Sequence, residues 1–454
     1  MLMSLNTITE KMVEKALTMG ADDAEAMARY TDSSRIEIKE GQVDGTRRTR
    51  ETIAAIRVLV DGRPGFSYAT DPDDDTIAEL IRDAVQGAKL VPAGEENRFS
   101  EADEPGSVEG ILDHGGVQEP LERKIDAARE VESAALEADR RIRKVHKPSY
   151  GEQYRITVLA SGGHVWNYED TYFSLGVEAV AEGESGSQTG YDYQISRAAS
   201  DLDPRRVGNT AGLEAAGLLG GEPPFTGEYP AIIPPKVAVS LLEVLASSFS
   251  ADEIQKGRSR LAGKMGERIF SSLITLTDDG SLPEGIGTAP FDDERVPPVG
   301  RRIVEEGVVS GSFHTLITAA REGVSPTGNG FRGSLSGAPS PGSTNLTLEG
   351  GLTPVDEQVP SGKAVRIENL MGVHTIDRVS GDFSLGASGF ILNGLESVEP
   401  FRNGTVSGNL FDLFSTVLAV GNDLMYYGST GSPSILVGRE VIWAAIVVER
   451  ELPA

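Results

Sequence analysis

Thr52–Tyr68, TIAAIRVLVDGRPGFSY, reads as two apolar, β-prone segments joined by a tight turn. Asp61-Gly62 tolerates the positive φ angles of a two-residue hairpin, and Pro64-Gly65 adds turn chemistry before Phe66-Ser67-Tyr68. Two strands joined this tightly are antiparallel neighbours, which excludes a crossover helix between them. Upstream, Ala24–Tyr30 and Ser34–Lys39 read as further strands. Before them, Thr7 with Glu10 three residues later forms a capping box, Ile8, Met12, Ala16 and Leu17 share one helix face, and Gly20 is a stop. Downstream of acidic Asp73–Asp75, the positions Ile77, Leu80, Ile81, Ala84, Val85 and Ala88 repeat at helical spacing. Helix, strands and helix make the first unit.

The same order returns. Pro120 opens a helix through Leu121, Ile125, Ala128 and Ala135, strands are predicted around 141–146, 154–160, 164–168, 172–181 and 187–195, and a helix over 204–219. This suggests a structural duplication without a residue-level repeat. Between the units, Gly94 to Glu119 carries eight acidic residues against one Arg and reads as an acidic linker or exposed excursion. From Gly227 onward short strands alternate with Gly and Pro, as in Arg302–Val304 and Val308–Phe313 turning at Glu306-Gly307. One helix interrupts them: Ala238, Leu241, Leu242, Leu245 and Phe249 form an apolar stripe, with Leu410–Leu418 as a weaker second helix. The expected fold class is therefore α+β: an N-terminal helix-plus-antiparallel-sheet region, possibly duplicated (1–93 and 120–226 around the linker 94–119), and a mainly antiparallel β barrel-like or sandwich domain over 227–454.

The chain has 454 residues, 42 Lys+Arg against 69 Asp+Glu, and no cysteine. Its length supports sizeable cores, and zero Cys removes disulfides, cysteine-ligated metals and a cysteine nucleophile. A formal charge of −27 repels phosphate backbones, so no direct nucleic-acid partner is expected. The nearest basic patches, Arg47/Arg48/Arg50 and Arg140–Lys147, read as solvated edges. The balance of 11 Lys and 31 Arg within so acidic a chain resembles proteins adapted to high salt. The longest apolar run, Val441–Val448, has eight residues against the roughly 20 of a spanning helix, so no membrane role is expected. Without a signal-peptide pattern at the N-terminus the expected location is cytoplasmic.

The five histidines, His114, His146, His164, His314 and His374, include no pair at the spacing that puts two imidazoles on one helix turn. A nucleophile elbow and the nucleotide-binding glycine patterns are also missing. Two acidic clusters stand out, Asp278-Asp279 leading to Asp292-Asp293-Glu294, and Ser380-Gly381-Asp382-Phe383. Paired carboxylates can ligate cations or act as acid and base, but acidic turns are the plainer reading in this composition.

The run GRSRLAGKMGERIFSSLITLTDD (Gly257–Asp279), together with LPEGIGTAPFDDERVP (Leu282–Pro297), PTGNGFRG (Pro326–Gly333), STNLTLEGG (Ser343–Gly351), SGDFSLGASGF (Ser380–Phe390) and VGNDL (Val420–Leu424), resembles the C-terminal half of the TldD/PmbA, or modulator of DNA gyrase, family. In that family the catalytic kind of subunit holds zinc with a His-Glu-x-x-x-His helix and a later cysteine. The resemblance places the first histidine position at Leu242, the glutamate at Glu243, the second histidine at Ser247 and the cysteine near Thr430. Leu and Ser do not supply zinc donors, so the chain resembles the PmbA/TldE-type subunit, with no catalytic residue and no metal of its own. The resemblance implies a heterodimer with a zinc-bearing TldD-type partner, or a homodimer in isolation, acting on unfolded or small peptides. Thr327, Gly328, Asn329, Asn345, Asp382, Phe383, Gly386 and Ser388 are the expected peptide-binding positions, the glycines permitting close backbone approach. Two alternatives stand beside it: a metal-independent hydrolase using Ser388, Asp382 and Asp292, and a non-enzymatic peptide-binding homodimer.

Overall fold

The computed structural model describes residues 2–92, 97–184, 186–224, 226–333, 337–393, 398–438 and 442–445. Its N-terminal part is a six-stranded antiparallel sheet built from β1 (Asp23–Lys39), β2 (Gln42–Val60), β3 (Arg63–Thr70), β4 (Ile142–Ser161), β5 (His164–Gly183) and β6 (Gly186–Ser196), in the order 3-2-1-4-5-6. Asp61 (φ 49°) and Gly62 (φ 73°) make the expected tight turn, both in the left-handed region. Helices α1 (Leu2–Thr18) and α2 (Asp74–Leu90) flank the first three strands, and helices Leu121–Ala138 and Pro204–Gly217 flank the last three. The antiparallel β1–β4 ladder fuses the two helix–strands–helix units into one sheet.

Several local expectations need correction. Helix α1 starts before Thr7, whose hydroxyl donates to the Met3 carbonyl 2.8 Å away, so Thr7 is a helix-interior residue and not a cap. Leu17 is 45% exposed, while Met12 and Ala16 are buried. The breaks expected inside 24–39, 141–160 and 164–181 do not occur, and β1, β4 and β5 are continuous strands of 17, 20 and 20 residues. The polar residues that suggested turns are satisfied across the ladder instead: Asp32 accepts from Arg48 and Arg50 on β2, and Asp170 on β5 pairs with Arg155 directly opposite on β4.

The C-terminal part holds two larger sheets. One runs Val308–Val309, Arg301–Glu305, Leu276–Asp278, Leu346–Leu348, Thr430–Ser432, Met425–Tyr427; the other runs Val417–Val420, Ile435–Val437, Ala231–Ile233, Lys363–Met371, Asp382–Asn393, Val398–Asn409, Ile442–Ala445, Gly227–Glu228. Each contains one parallel pair in an otherwise antiparallel pattern, Leu346–Leu348 with Thr430–Ser432 and Ala231–Ile233 with Lys363–Met371. Helix Pro235–Ala246 and the 3-10 turn Ser247–Phe249 place all five stripe residues, Ala238, Leu241, Leu242, Leu245 and Phe249, in one core with Phe270, Phe313 and Phe414. The second predicted helix is short, Leu410–Ser415, because the chain turns at Thr416 into strand Val417–Val420. Of the apolar run Val441–Val448, Ile442–Ala445 pair with the strand Val398–Asn409 and the rest lie outside the described residues. Among the described residues no helix is long and apolar enough to cross a membrane.

The acidic cluster at 292–294 helps to join the two parts. Arg57 of β2 sits between Glu25 of β1 (3.3 Å) and Glu294 (3.1 Å), and Arg332 reaches Glu25 at 2.5 Å, all buried. Nearby Arg197 donates to the carbonyls of Gly285, Ile286 and Thr288, and Arg295 lies over Trp166. The acidic segment after 97 is a packed strap, with Phe99 and Ile111 buried and Gly106 N donating to Pro290 O.

Candidate functional site

Between helix Pro204–Gly217 and the eight-stranded sheet lies a cleft of about 370 Å³. The start of helix Pro235–Ala246 forms one wall, where Lys236 meets Glu214 at 2.5 Å and donates to the Tyr191 carbonyl, its ammonium 4.0 Å from the Tyr191 ring centre. Asn369 donates to the other Glu214 oxygen at 3.3 Å, and Ser388 stands opposite Asn369 in the ladder. Burial lifts the Glu214 carboxyl to about 7 despite the lysine beside it. At neutral pH this carboxyl is divided between its protonated and ionised forms, so the cleft can take up or release a proton.

Alongside, Tyr427 stacks edge-on against Tyr193 of β6 at 5.3 Å, near Asp192, which pairs with Arg206 at 2.9 Å. Burial raises the Asp192 carboxyl and pushes the Tyr193 hydroxyl up to about 12. Glu243, exposed two turns beyond Lys236 on helix Pro235–Ala246, is also raised by partial desolvation, and its charge is felt at Tyr193.

The helix packs against strands Met425–Tyr427 and Thr430–Ser432, so the fold brings together the segments carrying Leu242, Glu243 and Ser247 with the one carrying Thr430. The donors do not fit a zinc ion. Leu242 is buried in the apolar core, the Ser247 hydroxyl is turned back to donate to Val244 O at 2.7 Å, and among the described residues no group of three or more His, Cys, Asp or Glu could hold a metal.

The expected peptide-binding positions divide into two groups. Asn329 is fully buried, donating to Asp278 and Gly342 O and accepting from Arg301; Asn345 fastens Asp279 O, Thr288 and Gly287; Thr327 is bonded to the His314 backbone. At Gly328 (φ +69°) a Cβ would fall 2.5 Å from Pro297 O, so this glycine permits a close internal approach. The acidic clusters are similarly internal: Asp278 accepts from Asn329 and Thr344, and Asp292 from the amides of Glu294, Val296 and Gly330.

The second group lies on the strand Asp382–Asn393. Phe383 points into the core, Asp382 is exposed and accepts from Asn409, and Gly386 and Ser388 are half-buried on the face opposite Leu385 and Ala387. This strand has ladder partners on both sides, so its backbone cannot accept an added strand. Strand Met425–Tyr427, beside the cleft, is a sheet edge. Sequence reading missed Glu214, Lys236, Asn369, Tyr193 and Tyr427, which come from separate elements; the one local signal was Pro234-Pro235, marking where Lys236 starts a helix.

Three family models match the chain: PmbA/TldA metallopeptidase domain 1 over residues 24–88, the central domain over 117–219 and the C-terminal domain over 226–442. The chain belongs to the PmbA/TldD metallopeptidase family. Metalloprotease PmbA of Escherichia coli O157:H7 is 26% identical over 440 residues, covering 95% of each chain. Among solved structures, a putative modulator of a DNA gyrase from Thermotoga maritima superposes with a TM-score of 0.86 at 26% identity, covering 96% of this chain and 99% of the other. TldE from Thermococcus kodakarensis shares the fold at TM-score 0.83 and 20% identity, covering 96% and 99%. The mixed α+β architecture expected from the sequence is the architecture of these relatives.

Proposed function

We propose that this chain is the metal-free, TldE-type subunit of a two-chain metallopeptidase, shaping the channel for unfolded or small peptides while a TldD-type partner carries the zinc. One observation carries the reading: at the two positions that the family resemblance assigns to histidine, Leu242 is buried in the core and Ser247 is bonded back to Val244 O. The chain's own contribution is then geometric. Strand Met425–Tyr427, which ends its sheet among the described residues, offers main-chain hydrogen bonds to an extended peptide, and Gly386 and Ser388 leave low relief on the neighbouring sheet. Glu214, Lys236 and Tyr427 set the polarity of the wall between them. Holding a peptide extended in one register reduces the entropy its cleavage has to overcome.

The test is a peptidase assay on an unstructured peptide with this chain alone, with a TldD-type chain alone and with both, alongside metal analysis of each. Activity confined to the mixture, with zinc confined to the TldD-type chain, supports the assignment. Cleavage by this chain alone in the presence of a chelator overturns it in favour of a metal-independent hydrolase. Ser388 and Asp382 would then be replaced first, Asp292 being sealed by three backbone amides.

A further inference from the structure

Strand β3 pairs only with Ile53–Val60, so residues 42–51 of β2 have β1 on one side and, among the described residues, no strand on the other. Ten residues of open edge extend about 33 Å. The hairpin carrying this edge is anchored: the Glu40 and Gly41 amides donate to Glu132 at 2.8 and 2.7 Å, and Arg129 donates to Gly41 O. Its presentation is therefore fixed.

The same end of the sheet concentrates arginines and lysines of a chain of net charge −27, set among the acids Glu37, Glu40, Asp44 and Glu132. Asp32 binds Arg48 and Arg50, but Arg47 has no ion-pair partner among the described residues. The start of β4 adds Arg141, paired with Asp139 at 2.8 Å, and Lys144, paired with Glu182 at 3.7 Å, while Arg140, Arg143 and Lys147 have no ion-pair partner among the described residues. A cleft of about 570 Å³ separates Glu37–Glu40 from Arg143–Lys147, and another of about 440 Å³ opens between Arg47, Arg48, Leu121 and Tyr154. Val43 and Leu121 are 39% and 54% exposed here.

Charged residues on an edge ordinarily prevent aggregation, and an acid-rich chain could do that with the acids it has in excess. Placing arginine and lysine here selects an occupant. We infer that residues 42–51, flanked by the basic stretch 140–147, form a docking surface for an extended acidic polypeptide segment of another protein, added as a strand to the edge of β2. Pairing of two copies about Arg47, Arg48 or Arg50 would set that arginine opposite itself, which disfavours those registers. Duplex DNA has no extended main chain to pair with the edge amides and carbonyls.

The probe is a fluorescein-labelled (Thr-Glu)5 peptide titrated with the full chain and read by polarisation, with (Thr-Lys)5 and a labelled DNA duplex in parallel. Saturable binding of the acidic peptide is expected, weakened about tenfold or more by Arg47→Glu combined with Arg143→Glu, and weakened by salt. Thr46→Pro and Thr49→Pro alternate in direction along β2; the one whose amide faces outward should weaken binding with an unchanged melting temperature. Equal binding of (Thr-Lys)5, unchanged affinity in the charge-reversed variant, or preference for the duplex would overturn the assignment.

Discussion

Arg57→Met tests whether the buried lattice at the foot of the N-terminal sheet holds the two parts of the molecule together. Arg57 is about 4% exposed, bridges Glu25 and Glu294, and lies 4.6 Å from the Phe99 ring centre. Methionine keeps most of its volume and its packing on Phe99 but removes the cation. Glu25 retains Arg332, while Glu294 is left with the Leu316 amide and the neighbouring Asp292. Removing one partner of a buried ion pair costs about 3–5 kcal/mol, chiefly because the remaining charge is stranded. Adding Glu294→Gln should therefore restore a large part of the loss, whereas independent effects would add. Trp166, packed on Phe291 at 5.5 Å, reports the junction; urea unfolding followed by its fluorescence, in a Trp443→Phe background, gives all four corners of the cycle. Burial already raises the Glu294 carboxyl in the folded state, so that state gains protons more readily than the unfolded chain and the Arg57→Met deficit should shrink as pH falls from neutral. A single-variant loss below about 1 kcal/mol, or strict additivity of the pair, would refute the reasoning.

Leu245→Ala should cost about 2–5 kcal/mol, because Leu245 is 1% exposed within the stripe of helix Pro235–Ala246; chemical denaturation checks it. Glu214→Gln should flatten the fall of stability with rising pH, set against a cost from leaving Lys236 without its carboxylate partner. The sign follows from a folded-state value near 7, above the ordinary carboxylate range, so this carboxyl loses stability for the fold as pH rises between the two; thermal melts at pH 5 and pH 8 decide. Screening of 27 excess negative charges should raise the melting temperature from low to molar KCl, and a flat or falling trend would contradict adaptation to high salt.

What could be read from the residues was whatever one segment satisfies by itself. The stripe 238–241–242–245–249 and the six apolar positions of α2 are all buried, because a helix face reports its partner through its own period. Asp61-Gly62 and Glu306-Gly307 are turns because their backbones need positive φ wherever the strands lead. Polar residues were misread when their partners lay on another strand. Thr31–Ser33 resembles a break until Arg48 and Arg50 are seen binding Asp32, and Asp278 resembles a free carboxylate until Asn329, 51 residues away, closes on it. The cleft lies at the far end of this scale. Glu214 finds Lys236 at 22 residues' separation and Asn369 at 155, so no local pattern could mark the carboxyl whose burial moves it to about 7. Helix Pro235–Ala246 and the strand carrying Thr430 lie far apart in the sequence and pack together in the fold. Leu242 joins the same apolar cluster as Leu241 and Leu245, so this stretch of the helix contributes core volume.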